Sequence, residues 1–223
     1  MKLCLLTYDA PHLKTAQVFA GLHARGFRRI DFLLMPFVPR PRREVLFAHR
    51  PEQFGGGPDP HELAARSGGR TFPYEEWRVC LGRYDRFLVC GSNLIEADFA
   101  ASGKVLNVHA GLIPAVRGLD SFKWAILRGD PLGNTLHVVD AEVDAGTVLA
   151  HMPTPVKAGD TLQSLAARHY DNEIRMLTHF DQPSGMLPGL ERAEPTPRMS
   201  VETEAEMIAR FDAYVSTYAN RDS

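Results

Sequence analysis

Lys2-Leu-Cys-Leu-Leu-Thr7 and Arg29-Ile-Asp-Phe-Leu-Leu-Met-Pro36 are the two runs whose reading decides the fold. Each is a short apolar stretch suited to a strand inside a sheet. Between them Val18, Phe19 and Leu22 fall on one helical face, and Gly26 supplies a stop. The second run ends where Pro36 removes a backbone donor. A strand, a covering helix and a second strand make a β-α-β unit, so a parallel sheet follows. The predicted class is α/β, a Rossmann-like open and mostly parallel sheet with flanking helices.

Outward from this unit, residues 37 to 69 break the regularity. Pro39 and Pro41 alternate with Arg40, Arg42 and Arg43, and Gly55-Gly56-Gly57-Pro58 precedes a short helix around Glu62 to Arg66. The three arginines suit a phosphate on an acceptor molecule, because guanidinium donors match phosphate oxygens; a solvated basic turn is the plainer reading. The sheet resumes at Arg86-Phe-Leu-Val-Cys-Gly91 and Lys104-Val-Leu-Asn-Val108. Both runs end in polar or glycine-containing positions, where open α/β sheets carry their ligands. A helix then runs from Asp120 or Ser121 through Phe122, Trp124, Ala125, Ile126 and Leu127 toward Gly129. The runs 134 to 140 and 146 to 152 form an expected hairpin, and Asp160-Thr-Leu-Gln163 opens a helix extending to about Phe180.

Residues 1–180 are thus read as the principal α/β domain, and 181–223 as an irregular connection followed by an amphipathic helix. Prolines at 183, 188, 195 and 197 mark the connection, and Thr203 with Glu206 is the expected cap. Met207, Ile208, Phe211, Tyr214, Val215 and Tyr218 form a stripe that must be covered, by the same subunit or by a second copy in a homodimer.

With 25 basic and 27 acidic residues and a net charge of -2, no global field draws the chain to nucleic acid. No run is long and apolar enough to span a membrane, and Met1-Lys-Leu-Cys-Leu-Leu-Thr-Tyr-Asp9 turns polar too early for a signal peptide, so a cytoplasmic location is expected. Cys4, Cys80 and Cys90 lack metal-site spacing and read as buried thiols. The histidines form no compact ligand cluster, so no metal is expected.

The chemistry concentrates in Asn107-Val-His-Ala-Gly-Leu-Ile-Pro-Ala-Val-Arg-Gly118 and in Asp144-Ala-Gly146. A carboxamide, an imidazole and a carboxylate suffice to move an acyl group onto an amine. In this wording the chain resembles the 10-formyltetrahydrofolate-dependent formyltransferase family, which includes glycinamide ribonucleotide, methionyl-tRNA and amino-sugar formyltransferases. Asn107-Val-His109, Leu112-Ile-Pro114 and Arg117-Gly118 match the family's first motif, Gly133-Asn-Thr-Leu-His137 its strand, and Asp144-Ala-Gly146 its aspartate-X-glycine. Family members carry serine or glycine where Gly111 stands.

The resemblance implies 10-formyltetrahydrofolate as formyl donor and a small-molecule primary amine, carrying phosphate, as acceptor. Asn107 and His109 would stabilise the developing oxyanion, and Asp144 would orient His109 and assist proton transfer. The main chain from Cys90 through Gly91, Ser92, Asn93 and Leu94, together with Asp140 and Val143, would recognise the pterin. Asn93 reads equally as the start of a turn, and His137 reads as a strand residue engaged in packing or hydrogen bonding. Family members acting on glycinamide ribonucleotide carry a glycine-rich turn after the first strand; Thr7-Tyr-Asp-Ala-Pro-His12 departs from it. The wording of the first motif favours a nucleotide-linked amino sugar. Glycinamide ribonucleotide, water in a formyltetrahydrofolate hydrolase, and folate binding without catalysis are the alternatives.

Overall fold

The computed structural model describes residues 1–38, 43–140 and 146–219. Seven strands form one sheet: β1 (Leu3–Tyr8), β2 (Asp31–Met35), β3 (Thr71–Pro73), β4 (Arg86–Val89), β5 (Val105–His109), β6 (Gly133–Val138) and β7 (Val148–Pro153). Their order is β3-β2-β1-β4-β5-β6-β7. The first five run parallel, and β6 is antiparallel to both β5 and β7. This is the Rossmann-like, largely parallel α/β architecture expected from the two opening runs.

The parallel strands are buried on both faces, and the alternation of side chains sorts their residues into two cores. Leu3, Leu5, Phe32, Leu34, Leu88 and Leu106 point to one face. There they meet α1 (Leu13–Ala24), α2 (Pro60–Ser67) and α6 (Leu162–Thr178) through Val18, Leu22, Leu63, Met176 and Leu177. Cys4, Leu6, Leu33, Phe87 and Val105 point to the other face, toward α3 (Trp77–Leu81) and α4 (Ala97–Ala100). Trp77 stacks on Phe99 with ring centroids 5.0 Å apart. All three cysteines are buried free thiols.

Sequence periodicity does not disclose β3, α3 or α4, which have three to five residues each and are too short to show a period. Thr161, within the expected Asp160–Gln163 cap, closes a capping box with Ser164 at the start of α6. The final helix, α7 (Val201–Tyr218), is capped by Ser200, which accepts from the Thr203 amide; the expected Thr203–Glu206 pair lies inside the helix instead of at its cap.

The stripe on α7 is covered within the chain. Met207, Phe211 and Tyr214 are buried against Phe122, Ala125 and Ile126 of α5 (Ser121–Arg128), whereas Ile208 stays 38% exposed. A buried Lys123–Glu204 ion pair joins the same two helices, and Glu204 also accepts from the Leu46 amide at 2.6 Å. Phe211→Asp puts a charge into this apolar contact. Thermal or urea unfolding should register a loss of about 3–5 kcal/mol, with the mass by light scattering unchanged. An unaltered melting curve would show that α5 and α7 are not held together through this ring.

Candidate active site

At the carboxyl ends of β1, β4 and β5 the sheet opens into a cleft of about 500 Å³. Parallel strands end here with their last residues turned outward, which is how Tyr8, Val89, Cys90, Asn107 and His109 come to one place. His12, Lys14, His49, Arg50 and Glu173 form one wall, and Gly118 to Ser121 with Arg198 form another.

Asn107 and His109 are two apart on β5 and so share a face. Antiparallel pairing sets Asn107 opposite His137 and His109 opposite Thr135. The Asn107 amide Nδ2 donates to His137 Nε2 at 3.2 Å. His109 is 7% exposed, and its Nε2 donates to the Val116 carbonyl at 3.0 Å with Ser121 Oγ 3.1 Å away. Ser121 Oγ in turn donates to the Gly118 carbonyl at 3.1 Å. Both side chains are therefore held before any ligand arrives.

Thr135 secures the loop between β5 and α5. Its Oγ1 donates to the Gly111 carbonyl at 2.7 Å and accepts from the Ile113 amide at 3.0 Å. His151 Nε2 donates to the Ile113 carbonyl at 2.8 Å. Two glycines sit at close approaches: a Cβ on Gly111 would lie 2.8 Å from His109 Nε2 and force a local shift, whereas one on Gly146 would lie 1.7 Å from the Val138 carbonyl oxygen, where no side chain fits. The loop's far end is bound to the C-terminal segment, where Thr196 Oγ1 bridges the carbonyls of Arg117 and Leu119, 2.8 Å from each.

The end of β4 offers main chain. Cys90, Gly91 and Ser92 line the cleft, and a Cβ on Gly91 would fall 2.7 Å from the Tyr8 ring. Burial pushes the Cys90 thiol up to about 12, so it stays protonated and inert. Asn93 turns away: its amide lies against Met35 Sδ and its Nδ2 donates to the Pro36 carbonyl at 3.2 Å, as expected of a turn residue. Leu94 is 92% exposed and Asp140 is exposed. Val143 and Asp144 lie outside the described residues, as do Arg40 and Arg42. Arg43 does not line the cleft; its guanidinium contacts the Met199 carbonyl, with Glu204 at 3.6 Å and Asp120 at 3.9 Å.

The cleft's cations are instead Lys14, Arg50 and Arg198. Lys14 and Arg50 flank the buried Glu173 at 2.5 and 2.7 Å. Burial alone would raise the Glu173 carboxyl, but Arg50 and Lys14 outweigh it and hold it down to about 2. Arg198 reaches Asp120 at 3.5 Å. His12 and His49 are pressed down to about 4 and about 3, chiefly by burial, with Arg50 adding to both. The wall is thus a fixed cationic surface with neutral imidazoles. Sequence reasoning overlooks it because its residues come from separate segments. One signal exists: Glu173 lies four residues after His169 on the buried stripe of α6, and Lys14 four before Val18 on that of α1.

Among the described residues no group of three or more His, Cys, Asp or Glu side chains is placed to hold a metal ion. No helix among them is long and apolar enough to cross a membrane.

Residues 78–180 match the family model described as formyl transferase, a span that contains Asn107, His109 and Ser121. The solved sugar N-formyltransferase from Shewanella sp. superposes with a TM-score of 0.60 over 95% of this chain and 88% of its own, at 16% identity. Phosphoribosylglycinamide formyltransferase from Bacillus halodurans gives 0.57 over 81% and 96%, at 19% identity. The fold is that of the formyltransferase superfamily. Solved members of both the sugar and the glycinamide ribonucleotide branches have this fold. In sequence, phosphoribosylglycinamide formyltransferase of Haemophilus influenzae is 34% identical over 76 residues. That match spans 34% of this chain and 36% of the relative, so the chain is matched over about a third of the relative's length.

Burial also presses His169 down to about 4. With these folded values below the ordinary 6.5, the unfolded chain binds more protons than the folded one as pH falls from about 6.5 toward 4. Stability should therefore drop over that window, with a slope approaching three protons for His12, His49 and His169. Glu173 should add one more between about 4.5 and 2. Urea midpoints measured against pH read this directly, and a flat profile from pH 7 to 5 would show that the three rings take up protons in the native state as readily as in the unfolded chain.

Proposed function

We propose that this chain is an enzyme that transfers the formyl group of 10-formyltetrahydrofolate to a primary amine on a small, phosphate-bearing acceptor. The observation that carries the reading is the placement of Asn107 and His109, side by side and already oriented, at a cleft whose opposite rim is the main chain of Cys90 to Ser92. A flat heteroaromatic donor suits this rim, because the missing Cβ of Gly91 keeps the Tyr8 ring close while leaving backbone groups accessible. When bound, the folate supplies the formyl carbon.

The chain's residues then divide the work. One Asn107 N–H is committed to His137, and the second serves as donor toward the formyl oxygen. His109, fixed by Val116 and Ser121, presents an imidazole edge to the same place for charge stabilisation and proton transfer. Asp144 is assigned, from the motif wording, to orient His109 and to take up the amine proton through water. Arg50, with Lys14 behind Glu173, is the seat for the acceptor's phosphate.

For the acceptor, the sequence relatives make glycinamide ribonucleotide the first molecule to test. A nucleotide-linked amino sugar is the second, favoured by the likeness to the Shewanella sugar N-formyltransferase, which extends over 95% of this chain.

The assay follows tetrahydrofolate release and identifies the formylated product by mass spectrometry, with glycinamide ribonucleotide and a panel of amino-sugar nucleotides as acceptors. Asn107→Ala, His109→Ala and Asp144→Ala should each lower kcat by about 100-fold or more with KM little changed. Near-wild-type turnover by folded His109→Ala would remove the imidazole from the mechanism. Folate turnover without formylated amine would favour the hydrolase, and folate binding without turnover a non-catalytic role.

His137→Phe tests positioning. It should lower kcat by roughly 10-fold by freeing the Asn107 amide, while acceptor KM stays put. Arg50→Ala should do the reverse, raising acceptor KM more than folate KM.

A further inference from the structure

The opposite end of the sheet carries a second depression, of about 310 Å³, where β1, β2 and β4 begin. β1 separates it from the cleft by roughly 17 Å, the length of a six-residue strand. Five cations stand around it: Lys2, Arg28, Arg29, Arg70 and Arg83. The floor is Leu3, the half-buried Phe72 ring and the buried Tyr84.

The one carboxylate in the lining, Asp31, is engaged inward, accepting from Tyr84 Oη at 2.6 Å and from the Arg70 amide at 2.7 Å. Nearby Asp85 accepts from the Lys2 amide at 2.7 Å. Among the described residues neither carboxylate, nor any other, forms an ion pair with the side chains of these five cations. Among the same residues Arg28 donates only to the His23 and Phe27 carbonyls, and the Arg83 guanidinium lies 5.7 Å from the centroid of the Phe72 ring. So many like charges on one rim repel one another, and a multiply charged anion relieves that repulsion.

Arg29 adds an independent observation. Its φ of 56° lies in the left-handed region, which favours glycine. The conformation is held by α2, whose Ser67 carbonyl accepts from the Arg29 amide at 2.9 Å while Ser67 Oγ accepts from the Ile30 amide at 3.1 Å. A glycine there would relax the backbone, yet the position carries a guanidinium at the rim of the depression. Strain of this kind is characteristic of sites that bind.

We propose that this depression binds a nucleoside phosphate, with its phosphates on Arg28, Arg29 and Arg70 and its base over Phe72 beside Arg83. Guanidinium forks match phosphate oxygens, and the ring with its neighbouring cation offers a flat base a stacking partner. The volume sits at the lower end of the roughly 300–1,000 Å³ that holds small ligands. The site is independent of the formyl-transfer reading and needs neither folate nor amine.

Isothermal titration of the full chain with AMP, ADP and ATP, without folate, tests it. One saturable site in the micromolar range is expected, weakening as salt is raised. Affinity should fall at least about 10-fold in Arg29→Gly and in the Arg28→Ala, Arg70→Ala pair, each removing charge-assisted contacts. Arg29→Gly should melt no lower than wild type, so the loss is not unfolding. Phe72→Ala should weaken ADP while leaving pyrophosphate unchanged. Absence of saturation up to about 1 mM, or retention of affinity in both arginine variants, would overturn the proposal. So would loss of binding in Arg50→Ala, which would move the nucleotide to the cleft, or pyrophosphate binding as tight as ADP. Much tighter binding of single-stranded RNA would overturn the small-ligand assignment.

Discussion

Everything at the cleft depends on the antiparallel pairing of β5 with β6. A sheet that stayed parallel would reach the next strand by a long crossover, and the residues facing β5 would come from a strand beginning at the far end. The reversal instead lets Gly133, Thr135 and His137, all on one face of β6, address β5 and the loop after it. Gly133 makes room for Leu112 and the Met152 carbonyl, Thr135 pins the loop backbone, and His137 fixes the Asn107 amide. A one-residue slip in this register would turn all three to the other face. The hydrogen bonds that hold the sheet together thus also set the geometry of Asn107 and His109.

The second constraint is electrostatic. Glu173 is 1% exposed, and a lone buried carboxylate would be costly; Lys14 and Arg50 make it tolerable. Such a triad adds little net stability over an apolar core, but it fixes the positions of α1, α6 and the 49–53 segment relative to one another. It also leaves one uncompensated positive charge facing the cleft. The neutral His12 and His49 beside it follow from the same cations and the same burial. Removing either cation would leave the carboxylate under-compensated as well as altering the cleft surface.

Much of this was readable from residues alone because the strong signals coincide with the strong physics. Strands buried on both faces need continuous apolar runs, and β1, β2, β4 and β5 have them. Gly146 stands in the sequence as part of Asp144-Ala-Gly146, and the structure supplies its physical reason, a Cβ there falling 1.7 Å from the Val138 carbonyl oxygen. The hairpin of β6 and β7 is found at the expected place to within a few residues. What could not be read is what depends on distant pairing. Ser121 looks like a helix-start residue and serves His109; His137 looks like a strand histidine and serves Asn107. The arginines between the prolines attracted attention by clustering, yet Arg43 belongs to the α5–α7 packing, while Arg50, an isolated residue, reaches the cleft. β3 and α4 were hidden by length, since three or four residues carry no period.

The bridge from Thr196 to the carbonyls of Arg117 and Leu119 has a consequence for biogenesis. Thr196 follows Arg117 by 79 residues, and Glu204 follows its partner Lys123 by 81. At about 5–20 residues per second, the loop beneath His109 leaves the ribosome roughly 4–16 seconds before the segment that braces it has been made. Through that interval β1 to β5 can already pair, but the loop carbonyls face solvent and Lys123 lacks its carboxylate. The wall beneath His109 is therefore completed only once residues 196 to 204 have been made.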